Sequence, residues 1–493
     1  MRLLRKTSLV SLLILAILVG LLAVRQAHTS AELLPLASAV GWVEGNGRGL
    51  GPELIGAGVR PAHVVRIGTS YIPRTPPAMM LFCGGVCKVY RSIAGRPLDG
   101  ADLPKLVWWI NFLGVLPWAL LLFGGLGRLA MLWGGDEGAQ PEWASWAAIA
   151  GTMGFGWFGV ASVYLPVAAI ACWVVALVLE SLISASPGGM ILAGLAAGFA
   201  GAAHPTGWIW VVWGLFVRFV ASPRGYQPSR NGIQVAAFGI SAALAILITL
   251  VGNHLFFGTP LPVQWIDLQP FDLSTDRMML LLWHDLIGWN GLVWLAPLVP
   301  VGLARMGSAP EDLVGGQFVV FVFGLVAVTL FIWGLADDSR LVDEIEQVPP
   351  EIRVLPVELV GGEFEMVQLG SSGDTPDERR AFYERLVERT DVFLYTGGRS
   401  PGLPVFLPIG LMLGLMGWCW IVSSRFWGAW SWIGVRWGGL VGLVMSQAPY
   451  GSVADLFTYA GLLPSNGHVP ILESLLAVCI RLAEFWPSAM ISF

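Results

Sequence analysis

Two carboxylates and three guanidinium groups share one polar stretch near the start of the chain, where Glu44 and Glu53 lie among Arg48, Arg66 and Arg74. A carboxylate can take a proton from a hydroxyl, and guanidinium groups can hold an oxyanion close by. Arg399 belongs to a second long polar stretch and is a further cation of the same kind. His204 precedes Pro205 between two apolar runs, where an imidazole can meet an anion or simply pack. Asn253 and His254 stand just ahead of Gly258, so capping a helix end is as open to them as binding. Each of these residues also fits a solvated loop or a packed interior.

Other chemistries find little purchase. Cys83 and Cys87 fall on one helical face, but further metal ligands are lacking nearby, and packing explains the spacing. No phosphate-binding Gly-Lys loop, no HExxH and no GxSxG motif is present. The pair Gly194 and Gly198 has the spacing that lets two membrane helices approach closely. Asp267, Asp272 and Asp276 lack ligand spacing, which leaves a divalent cation open without naming one.

The elements that must position these groups are membrane helices. The 493 residues are 55% hydrophobic and only 12% charged, and the mean hydropathy of +0.70 is far from that of a water-soluble domain. About eleven apolar runs suit transmembrane helices, at approximately 8–24, 106–126, 143–160, 165–183, 188–203, 206–221, 232–252, 289–304, 316–335, 401–423 and 427–446. Arg2, Arg5 and Lys6 ahead of the first run, with no small-residue cleavage site behind it, read as an uncleaved signal anchor with a cytoplasmic N-terminus. Arg128, Arg218, Arg224, Arg230, Arg305 and Arg425 then fall in cytoplasmic connections. The expected fold is an all-α polytopic membrane protein with amphipathic interfacial helices in outer loops. It is expected in a prokaryotic cytoplasmic membrane with its active side extracytoplasmic.

Four regions follow. A transmembrane core, 1–335, carries a long first outer loop over 25–105, with an amphipathic piece at Ala78 to Tyr90. Residues 336–398 are strongly acidic, and Thr375-Pro376-Asp377-Glu378 reads as a capped helix start within a small αβ insert outside the membrane. Residues 399–446 hold the last spans, including Arg436, which snorkels or faces a cavity. The tail, 447–493, carries an apolar stretch interrupted by Glu473, Arg481 and Glu484, read as an interfacial helix.

Several segments, in order, resemble motifs of one superfamily. Gly68-Thr69-Ser70-Tyr71-Ile72-Pro73-Arg74-Thr75-Pro76-Pro77 looks like a G-x-x-Y-x-x-K-x-P-G element, and Trp42-Val43-Glu44-Gly45-Asn46-Gly47 is similar to an earlier LVE-x-G stretch. Ala193 to Gly198 leading to His204-Pro205-Thr206 resembles a helix ending in Arg-Pro-Thr. Asn253-His254-Leu255-Phe256-Phe257-Gly258-Thr259-Pro260-Leu261 looks like N-Y-L-x-F-G-x-P-L. Asn290 to Leu298 and Gly397 to Gly402 are similar to later elements. Together they resemble the glycosyltransferase C superfamily, the membrane glycosyltransferases that use polyprenyl-phosphate sugars, including protein mannosyltransferase-like and aminoarabinose transferase-like enzymes. Arg74 stands where the motif has Lys, and His204 where it has Arg. No acidic pair directly follows the first helix.

The resemblance implies an inverting sugar transfer from a polyprenyl-phosphate-linked donor to a glycan, lipid or protein acceptor. Glu44 is then the candidate general base, with Glu53 second. Arg48, Arg66, Arg74, His204 and Arg399 are candidates for the donor phosphate, and Tyr71, Asn253 and His254 are further site candidates. Membrane lipid is the other expected partner, and no nucleic acid is expected. A transporter or flippase of lipid-linked glycans is the rival from another class, although nearly charge-free spans and the lack of a repeated half favour the enzyme. A catalytically silent homologue that binds a lipid or a protein partner is a third reading.

Overall fold

The computed structural model describes residues 9–23, 30–43, 64–67, 70–98, 102–133, 141–159, 161–184, 187–220, 228–263, 298–308, 324, 326 and 403–423. The acidic insert, the last apolar run, Arg436 and the tail lie outside them, and the run 316–335 is represented by residues 324 and 326 alone. Eleven helices are described: α1 (Leu9–Leu22), α2 (Ser30–Val43), α3 (Pro77–Ala94), α4 (Leu103–Trp133), α5 (Pro141–Ala150), α6 (Tyr164–Ser184), α7 (Pro187–Ala203), α8 (Ile209–Val220), α9 (Pro228–Phe257), α10 (Leu298–Ser308) and α11 (Leu403–Ser423). Three are long and apolar enough to cross a membrane, over Lys105–Trp133, Tyr164–Leu182 and Gly232–Phe257, and Leu9–Leu21, Pro187–Ala203 and Leu407–Trp420 are shorter apolar helices.

The α9 helix shows why the bundle belongs in lipid. Ile233, Ile240, Leu244, Leu247, Ile248, Val251 and Leu255 are exposed at helical spacing, while Phe238, Ala242 and Ala245 on other faces are buried. A stripe of that width facing outward is costly in water and natural against hydrocarbon chains. Lipid supplies no hydrophobic drive between helices, so close packing of small residues must hold them together. Gly194 and Gly198 of α7 do this. A Cβ on Gly194 would strike Ser241 and the Phe238 carbonyl, and one on Gly198 would lie 2.6 Å from the Ala245 Cβ. The contacts advance together along both helices, so α7 and α9 run parallel.

Paired contacts sort the bundle into two ends. At one end Ser11 donates to Glu142 at 2.8 Å, and Arg128 of α4 pairs with Glu180 of α6. At the other, the Trp108 indole donates to the Gly20 carbonyl at 3.2 Å, and Asn111 accepts from the Ala161 amide at 2.9 Å. Along the chain, α1, α4, α5 and α6 therefore alternate in direction.

Two features depart from expectation. The run 143–160 is not one helix: α5 stops at Ala150, and a 3₁₀ segment, Met153–Phe158, follows. Thr152 donates to the Ala148 carbonyl at 2.7 Å and accepts from the Gly154 amide at 3.2 Å, ending one segment and capping the next. The architecture is also not wholly α-helical. β1 (Val64–Ile67) and β2 (Ser70–Pro73) form an antiparallel hairpin in the first long loop. Val65 pairs with Ile72 and both are buried, so β-branched residues hold one face of a short ladder that a helical reading of the chain passes over. The same loop also holds the helix α2, whose pattern in the sequence is interrupted by Pro35.

Candidate functional site

The end of the bundle that carries Trp108 and Asn111 gathers the segments singled out in the sequence. The last turn of α2 packs against α3, whose Gly84 sits under the Trp42 ring; a Cβ there would lie 2.6 Å from the indole. Trp42 also meets Phe256 edge to face, with centroids 6.3 Å apart. Arg91 of α3 donates to the Val43 carbonyl at 2.6 Å. These contacts fix the end of α2 at Val43, the residue before Glu44 in the sequence. Glu44, Arg48, Glu53 and Arg399 themselves lie outside the described residues.

The hairpin completes this face. Arg66 and Tyr71 are register partners across its strands, and Arg74 follows β2 directly, half-buried. Ile72 clusters with Met80, Phe257 and Val263, so the Gly68 to Pro77 element is tied to the end of α9. Pro77 opens α3 as its first residue, where a missing N–H costs nothing. The Asn253 to Gly258 segment ends α9 as a left-handed cap: Gly258 has φ 78° and its amide reaches the His254 carbonyl at 2.8 Å. Asn253 is buried and His254 exposed.

His204 occupies a built turn. The amide of His204 closes α7 on the Ala200 carbonyl at 3.1 Å, and its extended backbone (φ −154°, ψ 142°) suits a residue before proline. A short 3₁₀ turn, Pro205–Trp208, then folds back on α7, where Gly201 leaves room for the Trp208 indole to donate to the Gly198 carbonyl at 3.2 Å. The His204 ring caps that turn. Its Nδ1 accepts from the Thr206 amide at 3.4 Å and lies 2.7 Å from the Thr206 hydroxyl. Tyr164 packs beside it, centroid to centroid 5.2 Å. Burial pushes the imidazole down to about 4, so the ring is neutral near pH 7, and the Thr206 amide directed at Nδ1 favours the tautomer with its proton on Nε2. What it can offer an anion is one N–H donor and no charge.

Sequence reasoning passed over two polar groups at this end. Asp102, only 2% exposed, accepts from the Tyr90 hydroxyl at 3.1 Å and from Arg96 at 2.9 Å, clasping the end of α3 to the start of α4. Arg91 follows Gly84 and Cys87 at helical spacing on the face of α3 turned to α2, and that spacing was the available signal. Cys83 and Cys87 are packing residues whose thiols burial pushes up, away from the thiolate a ligand requires. Among the described residues no three His, Cys, Asp or Glu side chains lie together as a metal site.

Solved structures similar to this chain are those of ArnT from Cupriavidus metallidurans, bound to undecaprenyl phosphate and in the apo state. The bound form is 15% identical with a TM-score of 0.38, covering 96% of this chain and 83% of that one. The apo form is 15% identical with a TM-score of 0.40, covering 96% and 84%. The archaeal oligosaccharyltransferase AglB from Archaeoglobus fulgidus, in complex with an inhibitory peptide and a dolichol-phosphate, is 12% identical with a TM-score of 0.35; the comparison covers 98% of this chain and 55% of AglB. No family model and no curated protein matches the chain.

Proposed function

We propose that this membrane protein is a glycosyltransferase that moves a sugar from a polyprenyl-phosphate-linked donor to an acceptor on the extracytoplasmic face. One observation carries the reading: segments far apart in sequence, each resembling a motif of the glycosyltransferase C superfamily, meet at one end of the bundle. The Trp42-Val43 end of α2, the Tyr71 hairpin with Arg74 and the Phe256-Phe257 end of α9 are in mutual contact through α3, and α3 also touches α7, which ends at His204. Packing alone does not require motif segments to converge.

In the proposed reaction the acceptor hydroxyl attacks the anomeric carbon from the face opposite the phosphate. Glu44 takes the hydroxyl proton, a carbon–oxygen bond to the acceptor forms, and the bond from the sugar to the phosphate oxygen breaks. The polyprenyl phosphate leaves with the electron pair. Arg74, with Arg48, Arg66 and Arg399, neutralises the charge that grows on it, and His204 adds a neutral donor.

The test is transfer from a panel of polyprenyl-phosphate sugars by the purified full-length protein. Turnover with at least one donor supports the reading. Donor binding with no transfer to any acceptor would instead identify a catalytically silent homologue.

A further inference from the structure

At the end of the bundle opposite the candidate site, α8 and α9 lie antiparallel across a tight contact. Gly214 faces Phe238, and a Cβ on Gly214 would come within 2.5 Å of the Phe238 ring. One helical turn further toward the connection 221–227 on each helix, on the same faces, stand Arg218 and Gln234. Each is 1% exposed. Among the described residues, Nε and Nη1 of Arg218 and both amide atoms of Gln234 have no hydrogen-bond partner. A cation in the last turn complements the helix C-terminus, and an arginine near a membrane surface ordinarily lifts its head group into water. Arg218 does not, and a buried guanidinium without a counter-charge is strongly disfavoured. The described carboxylates at this end are engaged elsewhere, Glu180 with Arg128 and Glu142 with Ser11.

We propose that Arg218 and Gln234 hold the phosphate of an anionic phospholipid. The guanidinium fork suits two phosphate oxygens, the Gln234 amide N–H adds a third donor, and its carbonyl can accept from a head-group hydroxyl. Helix ends place the pair at head-group depth, where basic pockets between membrane helices take anionic lipids. Val212 and Phe216 on α8 and Ile233 and Ile240 on α9 are exposed apolar residues on the outward faces of the same two helices, the faces that lipid chains cover. The site is separate from the proposed transfer site and stands or falls without it.

The experiment measures the apparent melting temperature of full-length, delipidated protein in neutral detergent, with added phosphatidylglycerol, phosphatidylcholine or inorganic phosphate. Phosphatidylglycerol should raise it by at least about 3 °C more than phosphatidylcholine, and phosphate should not change it. Arg218→Gln and, separately, Gln234→Leu should abolish the difference between the two lipids, while Arg218→Lys should keep part of it. Should Arg218→Gln fail to fold, Gln234→Leu decides alone. A preference for phosphatidylglycerol that survives the substitutions overturns the proposal, and an equal shift from inorganic phosphate overturns the lipid.

Discussion

Arg91 donates a 2.6 Å hydrogen bond to the carbonyl oxygen of Val43. The bond links residues 48 apart, from the face of α3 to the last residue of α2, and Glu44 is the next residue along. A charged donor on a carbonyl at a helix end is among the stronger side-chain contacts available. Arg91 thus holds the exit of α2 against the platform formed by Gly84 and Cys87.

Replacing Arg91 with Ala should therefore lower stability by about 1 to 3 kcal/mol and reduce transfer through misplacement of Glu44. Arg91→Lys, which retains a charged donor, should restore part of both. Thermal unfolding and transfer kinetics on the same preparations check this. Unchanged values for Arg91→Ala would mean that α2 is held by packing alone.

Gly194→Leu should separate α7 from α9. A side chain there collides with backbone as well as with Ser241, so relief by a rotamer change alone is blocked, and overpacking of this kind costs about 1 to 3 kcal/mol or more. Gly232→Ala on α9, where a Cβ meets nothing within 4 Å, is the matched control and should be neutral or slightly stabilising. Denaturation midpoints in detergent compare them.

The contrast between these glycines marks what a sequence makes legible. Gly194 and Gly198 announce a close helix approach because small residues four apart have one common use in a membrane. The amphipathic run at Ala78 to Tyr90 appears as α3 over Pro77–Ala94, since its apolar positions recur at helical spacing. The hairpin was hidden because four-residue strands offer too few positions for alternation to stand out, and α2 because Pro35 sits within it. The clasp at Asp102 depends on how α3 and α4 meet, which no local pattern encodes. In the sequence Arg218 stands as one of several arginines of the expected cytoplasmic connections. Its burial against Gln234 is a product of the register between two helices.

His204 should make stability depend on acid. Its folded-state value lies near 4, below the ordinary value of 6.5, so between those values the unfolded chain binds a proton that the folded chain refuses. The associated stability is fully present above about pH 6.5 and is lost as pH falls toward 4. The apparent melting temperature should drop across that window, and His204→Gln should flatten the drop. An identical slope in the variant would place the titrating group elsewhere.

The proposed chemistry predicts a division of labour between Glu44 and Arg74. The amide of Glu44→Gln keeps size and hydrogen-bonding capacity but accepts no proton, so turnover should fall by roughly 10²-fold or more while the donor still binds. Arg74→Ala removes a charge-assisted contact to phosphate without touching proton transfer, so the donor KM should rise with a smaller change in kcat. Arg74 follows a hairpin pinned to α9 through Ile72 and Phe257, which makes its position robust to loss of the side chain itself. Single-turnover measurements separate the two effects, because binding and chemistry are then read as distinct phases. If Glu44→Gln retains full activity, the base lies elsewhere, and Glu53 or an acid of the Asp267 to Asp276 loop is the next to replace.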